Sequence, residues 1–312
     1  MHEPVMKEEV VRYLVLRPGG VFIDATLGAG GLAAALLEAA GPGARLIGID
    51  RDPRAVERAR ARLAAYAGQC EFVCGNFADI GRIARERGAA EVDGVIVDTG
   101  ISSDQLDDPA RGFTFAADGA LDMRLSPSDP RTAADVVNRL PADELAAIFR
   151  ELGDEPDARR IARAIEAERA REPIRTTGRL ARIVERVKGG ARGRLHPATK
   201  VFMAVRMYVN GETEALEAAL PQALGLLKAG QRMGVISFER LNDRIVKRFV
   251  RAHAGRWENR AEGGRDWVCA MPPVREVTRR PATPTEAEVQ RNPRSRSSRL
   301  RVAERVENPH VE

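Results

Sequence analysis

A chain of 312 residues has room for two domains, or for one domain carrying a large insertion. Its 44% hydrophobic and 30% charged residues are the profile of a globular protein, and no apolar run approaches the roughly 18 residues that a membrane span needs. With acids in its opening "MHEPVMKEEVV", where a secretory leader requires an apolar core, the chain reads as cytoplasmic.

The first elements alternate in a regular way. "GVFID" ends at Asp24, "RLIGID" at Asp50, "CEFVCGN" at Asn76 and "DGVIVD" at Asp98, in steps of 26, 26 and 22 residues. Each is a short apolar run closing on a polar residue, and the interval fits one strand plus one crossover helix. Between them, "GLAAALLEAA" is rich in strong helix formers. "DPRAVERARARLAAY" offers Asp52 as N-cap and Pro53 at the first helical position, with Val56, Ala59 and Leu63 on one side. Alternation of this kind predicts an α/β fold, a doubly wound, mostly parallel sheet. In such sheets ligands bind along the carboxyl edge, so Asp24, Asp50, Asn76 and Asp98 should share one crevice.

The first crossover carries "DATLGAGGLAAAL", in which Gly28, Gly30 and Gly31 permit a tight turn and close approach of a ligand to the backbone. Gly28-x-Gly30-x-x-Ala33 fits a dinucleotide fingerprint. Asp50, 22 residues after Gly28, suits a carboxylate on ribose hydroxyls in either NAD or S-adenosylmethionine. Asp24 favours the latter, because a carboxylate there attracts a cationic amino-acid moiety and opposes a pyrophosphate.

After Gln105 the strand rhythm stops. "TAADVVNRL", "ADELAAIFRELG", "ARRIARAIEAERA" and "TTGRLARIVERV" read as helices separated by Pro and Gly signals. An all-helical insert at 105–199 therefore splits a domain made of 1–104 and 200–312. The chain is expected to return to the sheet through "KVFMAVRMYV" and "TEALEAALPQALGLL", with further strands at "QRMGVISF", "DWVCAM" and "RLRVAE".

Three cysteines are too few for a zinc site at recognised spacings, and no metal is expected. Cys70 and Cys74 share a strand face with Phe72 and read as buried small residues in a reducing compartment. The net charge of +5 is uneven: from Arg240 onward 17 Lys and Arg face 10 Asp and Glu, so this part carries +7 and the rest −2. Clustered arginines attract phosphates, although a solvated basic face has the same composition.

From Thr99 onward the pattern becomes specific. "SSDQLDDPARGFTFAADGALDMRLSP" resembles the bacterial S-adenosylmethionine-dependent methyltransferases that modify the exocyclic amine of a cytosine in 16S ribosomal RNA. The resemblance extends over nearly the whole chain, through "HEPVM", "IDATLGAGG", "LIGIDRDPRA", "GNF", "RRIARAI", "HPATKVFMAVRMYVN", "ISFERLNDRIVKRF" and "NPRSRSSRLRVAER". It implies a Rossmann-like methyltransferase domain interrupted by a helical insert for rRNA recognition. The implied act is N4 methylation of the cytosine at position 1402 in the decoding region of the small ribosomal subunit. By motif, the implied cofactor contacts are Gly30, Gly31, Leu32, Asp50, Phe77, Asp98 and Gln105, beside Asp24 and Gly28. Asp98, or a carbonyl of "TGISS", is the candidate acceptor for the amine hydrogens. Ser102 and Ser103 are weaker catalytic candidates, since a loop also uses such serines to fix its own backbone.

This chain departs from the family pattern at several points. Leu32 stands where a histidine follows the paired glycines, and Thr99 and Asp104 replace Leu and Pro in the loop after the fourth strand. "ISFHSLEDR" appears as "ISFERLNDR", with Glu239 and Arg240 for His-Ser, and "RWENRAEGGRDWVC" is atypical. A relative with a shifted RNA target, a non-catalytic RNA-binding protein on the same fold, and a nicotinamide oxidoreductase are the competing readings. His2 is a candidate for folding over the cofactor or for a mobile terminus, and His196 for helix entry. Met203 and Met207, four residues apart, read as core.

Overall fold

The computed structural model describes residues 4–190, 196–259 and 265–307; His2 lies outside them. The four apolar runs are strands β1 (Val21–Asp24), β2 (Arg45–Asp50), β3 (Cys70–Cys74) and β4 (Val92–Asp98). They are followed by β5 (Leu227–Ser237), β6 (Arg256–Asn259), β7 (Arg265–Val268), β8 (Val274–Glu276) and β9 (Arg299–Arg305). The helices up to the insert are α1 (Lys7–Tyr13), α2 (Gly31–Ala40), α3 (Pro53–Arg62) and α4 (Ile80–Glu86). Next come α5 (Ser103–Asp107), α6 (Ala133–Arg139), α7 (Ala142–Glu151), α8 (Ala158–Arg169), α9 (Thr177–Lys188) and α10 (Thr199–Asn210). The chain ends with α11 (Glu212–Leu226), α12 (Arg240–Ala254) and α13 (Glu286–Arg291). Two compact units result, Met1–Gly100 with Glu214–Glu312, and Ile101–Thr213.

The first unit is a seven-stranded sheet in the order β3-β2-β1-β4-β5-β9-β8, parallel from β3 to β5 and antiparallel at β9 and β8. It is covered on both faces, which is why its strands read as continuous apolar runs. Phe22, Leu46 and Ile96 face a layer with α1, α2 and α3, while Ile23, Ile47, Val95 and Val97 face α4, α11 and α12. Asp52 caps α3 by accepting from the Arg54 N–H at 3.0 Å, with Pro53 at the first helical position. β3 is the edge strand, so Cys74 is exposed and Cys70 only half-buried, contrary to the expected burial of both. Among the described residues no helix is long and apolar enough to cross a membrane.

At the amino edge of the sheet Asp93 is 1% exposed. Burial works to raise its carboxyl, but the Val21 N–H at 2.9 Å, the Lys228 ammonium at 2.9 Å and the Arg17 guanidinium together hold it below the usual range. It is a buried carboxylate with its charge compensated, and it sets the contrast for those at the opposite edge.

The second unit is helical. Its core gathers Val136, Phe149, Ile161, Ile165, Leu180 and Val184 with Val201, Phe202 and Val205 of α10. Thus α10 packs among the insert helices and not on the sheet, where its sequence pattern suggests it; α11 does pack on the sheet through Leu216, Leu220 and Leu224. His196 precedes α10, its Nδ1 accepting from the Ala198 N–H at 3.2 Å and its ring lying 4.5 Å from that of Phe115. Met207 is fully buried and Met203 half-buried.

"RGFTFAADGALDMR" is a folding device of this unit. Asn210 binds it from α10, its amide nitrogen donating to the Met123 carbonyl at 2.8 Å and its oxygen accepting from the Leu125 N–H at 2.8 Å. Gly119 exchanges bonds with Thr177, and the Asp118 carboxylate accepts from the Gly178 N–H at 2.7 Å. A Cβ on Gly119 would lie 2.0 Å from the Pro109 carbonyl oxygen. Gly119→Ala should therefore destabilise the protein by about 3–5 kcal/mol, since backbone must move to admit it. Urea denaturation followed by circular dichroism measures this; a loss under about 1 kcal/mol would show that the loop adapts freely.

Candidate active site at the carboxyl edge of the sheet

Parallel pairing sets Asp24 opposite Ile96 and Gly48, so Asp24, Asp50 and Asp98 reach the same edge at the ends of neighbouring strands. Asp24 is 0% exposed. Its Oδ1 accepts from the Thr26 N–H at 3.2 Å, and its buried Oδ2 has no hydrogen-bond partner among the described residues. Asp50 takes the Gly28 N–H at 2.7 Å on one oxygen and the Asp52 N–H at 2.8 Å on the other. Asp98 donates its backbone N–H to the Thr26 hydroxyl at 2.6 Å and accepts from the Gly100 N–H at 3.0 Å.

All three carboxyls are pushed up. Burial raises Asp24 to about 7, against the pull of the Thr26 N–H, and Asp98 and Asp50 add like charge. Burial raises Asp50 to about 6, moderated by the Asp52 and Gly28 N–H groups. Burial raises Asp98 to about 6, where the Gly100 N–H lowers it and the Glu239 carboxylate raises it further. Unlike Asp93, these acids have no cationic partner strong enough to bring them down; Arg58 lowers Asp50 only in part. S-adenosylmethionine carries two positive groups, a sulfonium and an α-ammonium, and the Oδ2 of Asp24 could accept from the ammonium. The residues present fit that cofactor. No group of three or more His, Cys, Asp or Glu among the described residues is arranged to hold a metal ion.

The glycine turn has a more mixed use than its sequence suggests. Gly28 has φ 52°, and a Cβ there would meet only the Thr26 carbonyl oxygen at 3.9 Å, so its backbone is approachable. Gly30, at φ 76°, caps α2, and a Cβ there would stand 3.2 Å from Ala59 and Leu63 of the α3 segment. Gly31 faces Pro4, whose Cβ would be 3.1 Å away. Their lack of side chains therefore admits the protein's own neighbours. Leu32 is 7% exposed and belongs to the apolar layer under α2, so it offers a ligand an apolar edge and a helix-start N–H, with no polar side chain.

Phe77 opens a short turn after β3, fixed by the Asn76 side chain accepting from the Ala78 N–H at 3.0 Å, and its ring is half-buried against the sheet. Ser102 and Gln105 begin the helical unit as a capping box on α5. The Ser102 Oγ accepts from the Gln105 N–H at 3.2 Å, and the Gln105 Oε1 accepts from the Ser102 N–H at 2.9 Å. Ser103 is the first residue of that helix and Asp104 the second, with the acid at the helix start where the dipole favours it. Thr99, also buried, donates its hydroxyl to the Ile236 carbonyl at 3.2 Å and so stitches β4 to β5.

Sequence reasoning missed two contributors and one buried, unpartnered amide. Thr26 holds Asp98 by its backbone, and its only signal is its place two residues after Asp24. Glu239, singled out as a departure, bears electrostatically on Asp98 because β5 ends beside β4. Asn242 is fully buried in the first turn of α12, with neither amide atom partnered among the described residues.

Comparison with known proteins agrees with this arrangement. A family model described as the MraW methylase family matches residues 1–306. A protein of Thermomicrobium roseum named ribosomal RNA small subunit methyltransferase H is 49% identical over 306 residues, covering 98% of this chain and 94% of its own length. The proteins of the same name from Geobacter sulfurreducens and Thermobifida fusca are 47% and 46% identical; the shares covered are 98% and 99% of this chain, and 99% and 94% of theirs. A match over almost the full length, with the glycine turn and the strand-end carboxylates in place, leaves one assignment: the chain belongs to the MraW methylase family.

Proposed function

We propose that this protein transfers a methyl group from S-adenosylmethionine to the exocyclic N4 amine of a cytosine in 16S rRNA of the small ribosomal subunit. The observation that carries the reading is the trio of strand-end carboxyls, Asp24, Asp50 and Asp98, all raised by burial, with Arg58 lowering Asp50 only in part. The names of its relatives support the substrate.

S-adenosylmethionine supplies an electrophilic methyl group on a cationic sulfur. Asp24 would hold the amino-acid end through its Oδ2, and Asp50, whose oxygens keep lone pairs beyond their two backbone bonds, would accept from the ribose hydroxyls. Phe77 would pack on the adenine, the Gly28 turn would give the cofactor room, and the backbone of Gly30, Gly31 and Leu32 would line its approach to α2. The target base must leave its stack to reach this edge. Its amine is a weak nucleophile, because the nitrogen lone pair is delocalised into the ring. Asp98 would accept from the amine N–H, localise that pair and take the proton that the amine gives up when it is methylated. Ser102 and Gln105 act through the shape of the loop after Asp98. The helical unit, with the many arginines of α8 and α9, grips the rRNA.

The test is transfer of labelled methyl from S-adenosylmethionine to small subunits from cells lacking this protein, with mapping of the modified base. Label on N4 of a decoding-region cytosine is the expected result. Measurable cofactor binding without incorporation would overturn the catalytic reading, and label on another base would overturn the assigned target.

A further inference from the structure

The sheet-bearing unit carries a basic surface that the site does not use. α12 buries Asn242, Val246, Val250 and His253 on one side and exposes Arg240, Arg244, Arg248 and Arg251 on the other, with Lys247 half-buried beside them. Spacings of four, four and three put the four arginines on one face of the helix. Among the described residues none of these guanidinium groups pairs with a carboxylate. The helix's one acid, Asp243, is bound to Arg301 at 2.6 Å. Several exposed arginines elsewhere are tied to acids, as in Arg82 with Asp79 and Glu86, Arg160 with Asp157, and Arg186 with Glu168. A row of like charges at these spacings destabilises a helix by itself, so it calls for an anionic partner.

The row leads from the catalytic edge to an aromatic surface. Arg240 directly follows Glu239, which bears on Asp98. At 1.5 Å per residue, Arg251 lies about 16 Å further along the axis. The chain then turns at Gly255 into the antiparallel β6–β7 hairpin, anchored by the Ala270 N–H donating to the Ala252 carbonyl at 2.9 Å. Trp257 is 55% exposed on this hairpin, its ring 5.4 Å from Trp267 in an edge-on arrangement that holds it upright. The Trp267 ring lies against Gly255, where a Cβ would come within 2.5 Å of Nε1. Arg256 and Arg265 of the same hairpin are exposed, Arg256 paired with Glu258 at 2.6 Å. Trp257, Val268 and Met271 are three of the four exposed large apolar residues among those described, so the apolar surface is concentrated at the end of the arginine row. Positive charge along a line, ending in an upright aromatic face, is complementary to a single-stranded nucleic acid.

We propose that the α12 arginine row and the Trp257 face form one RNA-binding track: the strand adjoining the target base lays its phosphates along Arg240, Arg244, Arg248 and Arg251 and stacks a base on Trp257. This rests on the reading of the protein as an rRNA methyltransferase and adds a surface outside the reacting centre. The basic row selects RNA over a protein partner as the occupant.

The test uses the full chain and a fluorescent oligouridine of about twenty nucleotides, a probe that asks for charge and stacking without sequence. Anisotropy titrations over a range of potassium chloride give affinity and salt slope, and calorimetric binding of S-adenosylmethionine verifies that each variant is folded. The double variant Arg244→Gln/Arg248→Gln should bind roughly tenfold more weakly at low salt, with its log–log salt slope shallower by about 1.4, which is about 0.7 for each phosphate no longer neutralised. Trp257→Ala should weaken binding about tenfold at every salt concentration without changing the slope, and Trp257→Phe should retain most of the affinity. Wild-type affinity and slope in all three variants, with cofactor binding intact, would overturn the track. So would variants that keep oligouridine binding but lose co-sedimentation with small subunits, since that pattern indicates docking on a ribosomal protein. Methyl transfer by the wild type separates the failures: if present, only the track is wrong; if absent, the rRNA reading itself is overturned.

Discussion

Asp98→Asn should lower the rate of methyl transfer by about 10²- to 10³-fold while leaving the affinity for S-adenosylmethionine within a few-fold of the wild type. The substitution keeps the shape of the side chain and an oxygen for the Gly100 N–H, and the Thr26 hydroxyl still holds the backbone of residue 98. What it removes is an anionic acceptor that takes a proton. Burial and Glu239 hold Asp98 at about 6, so at neutral pH it is ionised yet more basic than an ordinary carboxylate. That is the range in which proton acceptance is effective. Glu239→Gln removes one of the raising influences, so the acidic limb of the pH–rate profile should move to lower pH. Single-turnover transfer to small subunits measures both effects. An Asp98→Asn enzyme with full rate and intact cofactor binding would take Asp98 out of the chemistry.

The sheet is legible in the sequence because its physics is local. Strands buried on both faces need runs of β-branched and apolar residues, and each run ends where the chain reaches the solvent edge, so "GVFID" and "DGVIVD" announce both the strand and its end. The helix α10 is harder to place for a related reason. Of its ten residues from Val201 to Asn210 eight are buried, so its pattern shows burial without showing in which core. Short strands such as β6 and β8 carry too few residues for a period to emerge. Nothing in the β3 sequence signals that it lies at the sheet's edge, which is why its pattern points Cys74 inward.

The candidate site divides along the same line. Asp24, Asp50 and Asp98 can be named because position along the chain places them at one edge. The influence of Glu239 on Asp98 depends on β4 pairing with β5, brought together across more than a hundred residues, and nothing near Asp98 in the sequence encodes it. "GALDMR", one of the motifs that carry the resemblance, also does structural work: Gly119 and Met123 help to fold the helical unit.

The raised carboxyls also predict how cofactor binding responds to pH. For Asp24 the folded protein holds its proton to about 7 against an ordinary value of 3.8, and for Asp50 to about 6. Between roughly pH 4 and 7 the cofactor-free folded state thus binds more protons than the unfolded chain, and its stability falls as pH rises through that window. A cationic ligand reverses the balance, because it prefers the ionised carboxylates and expels their protons. The dissociation constant of S-adenosylmethionine should accordingly rise about 10- to 100-fold as pH is lowered from about 8 to about 5, with up to tenfold per pH unit for each coupled carboxyl. Calorimetry in buffers of different ionisation enthalpy should register proton release on binding near pH 6. Asp24→Asn should weaken binding at pH 8 and remove the upper part of this dependence. At the same pH, where the wild type must keep an ionised Asp24 out of water, the cofactor-free variant should melt at a higher temperature. A dissociation constant flat from pH 5 to 8, or a cofactor-free Asp24→Asn protein that melts lower at pH 8, would show that the Asp24 charge is already neutralised within the protein.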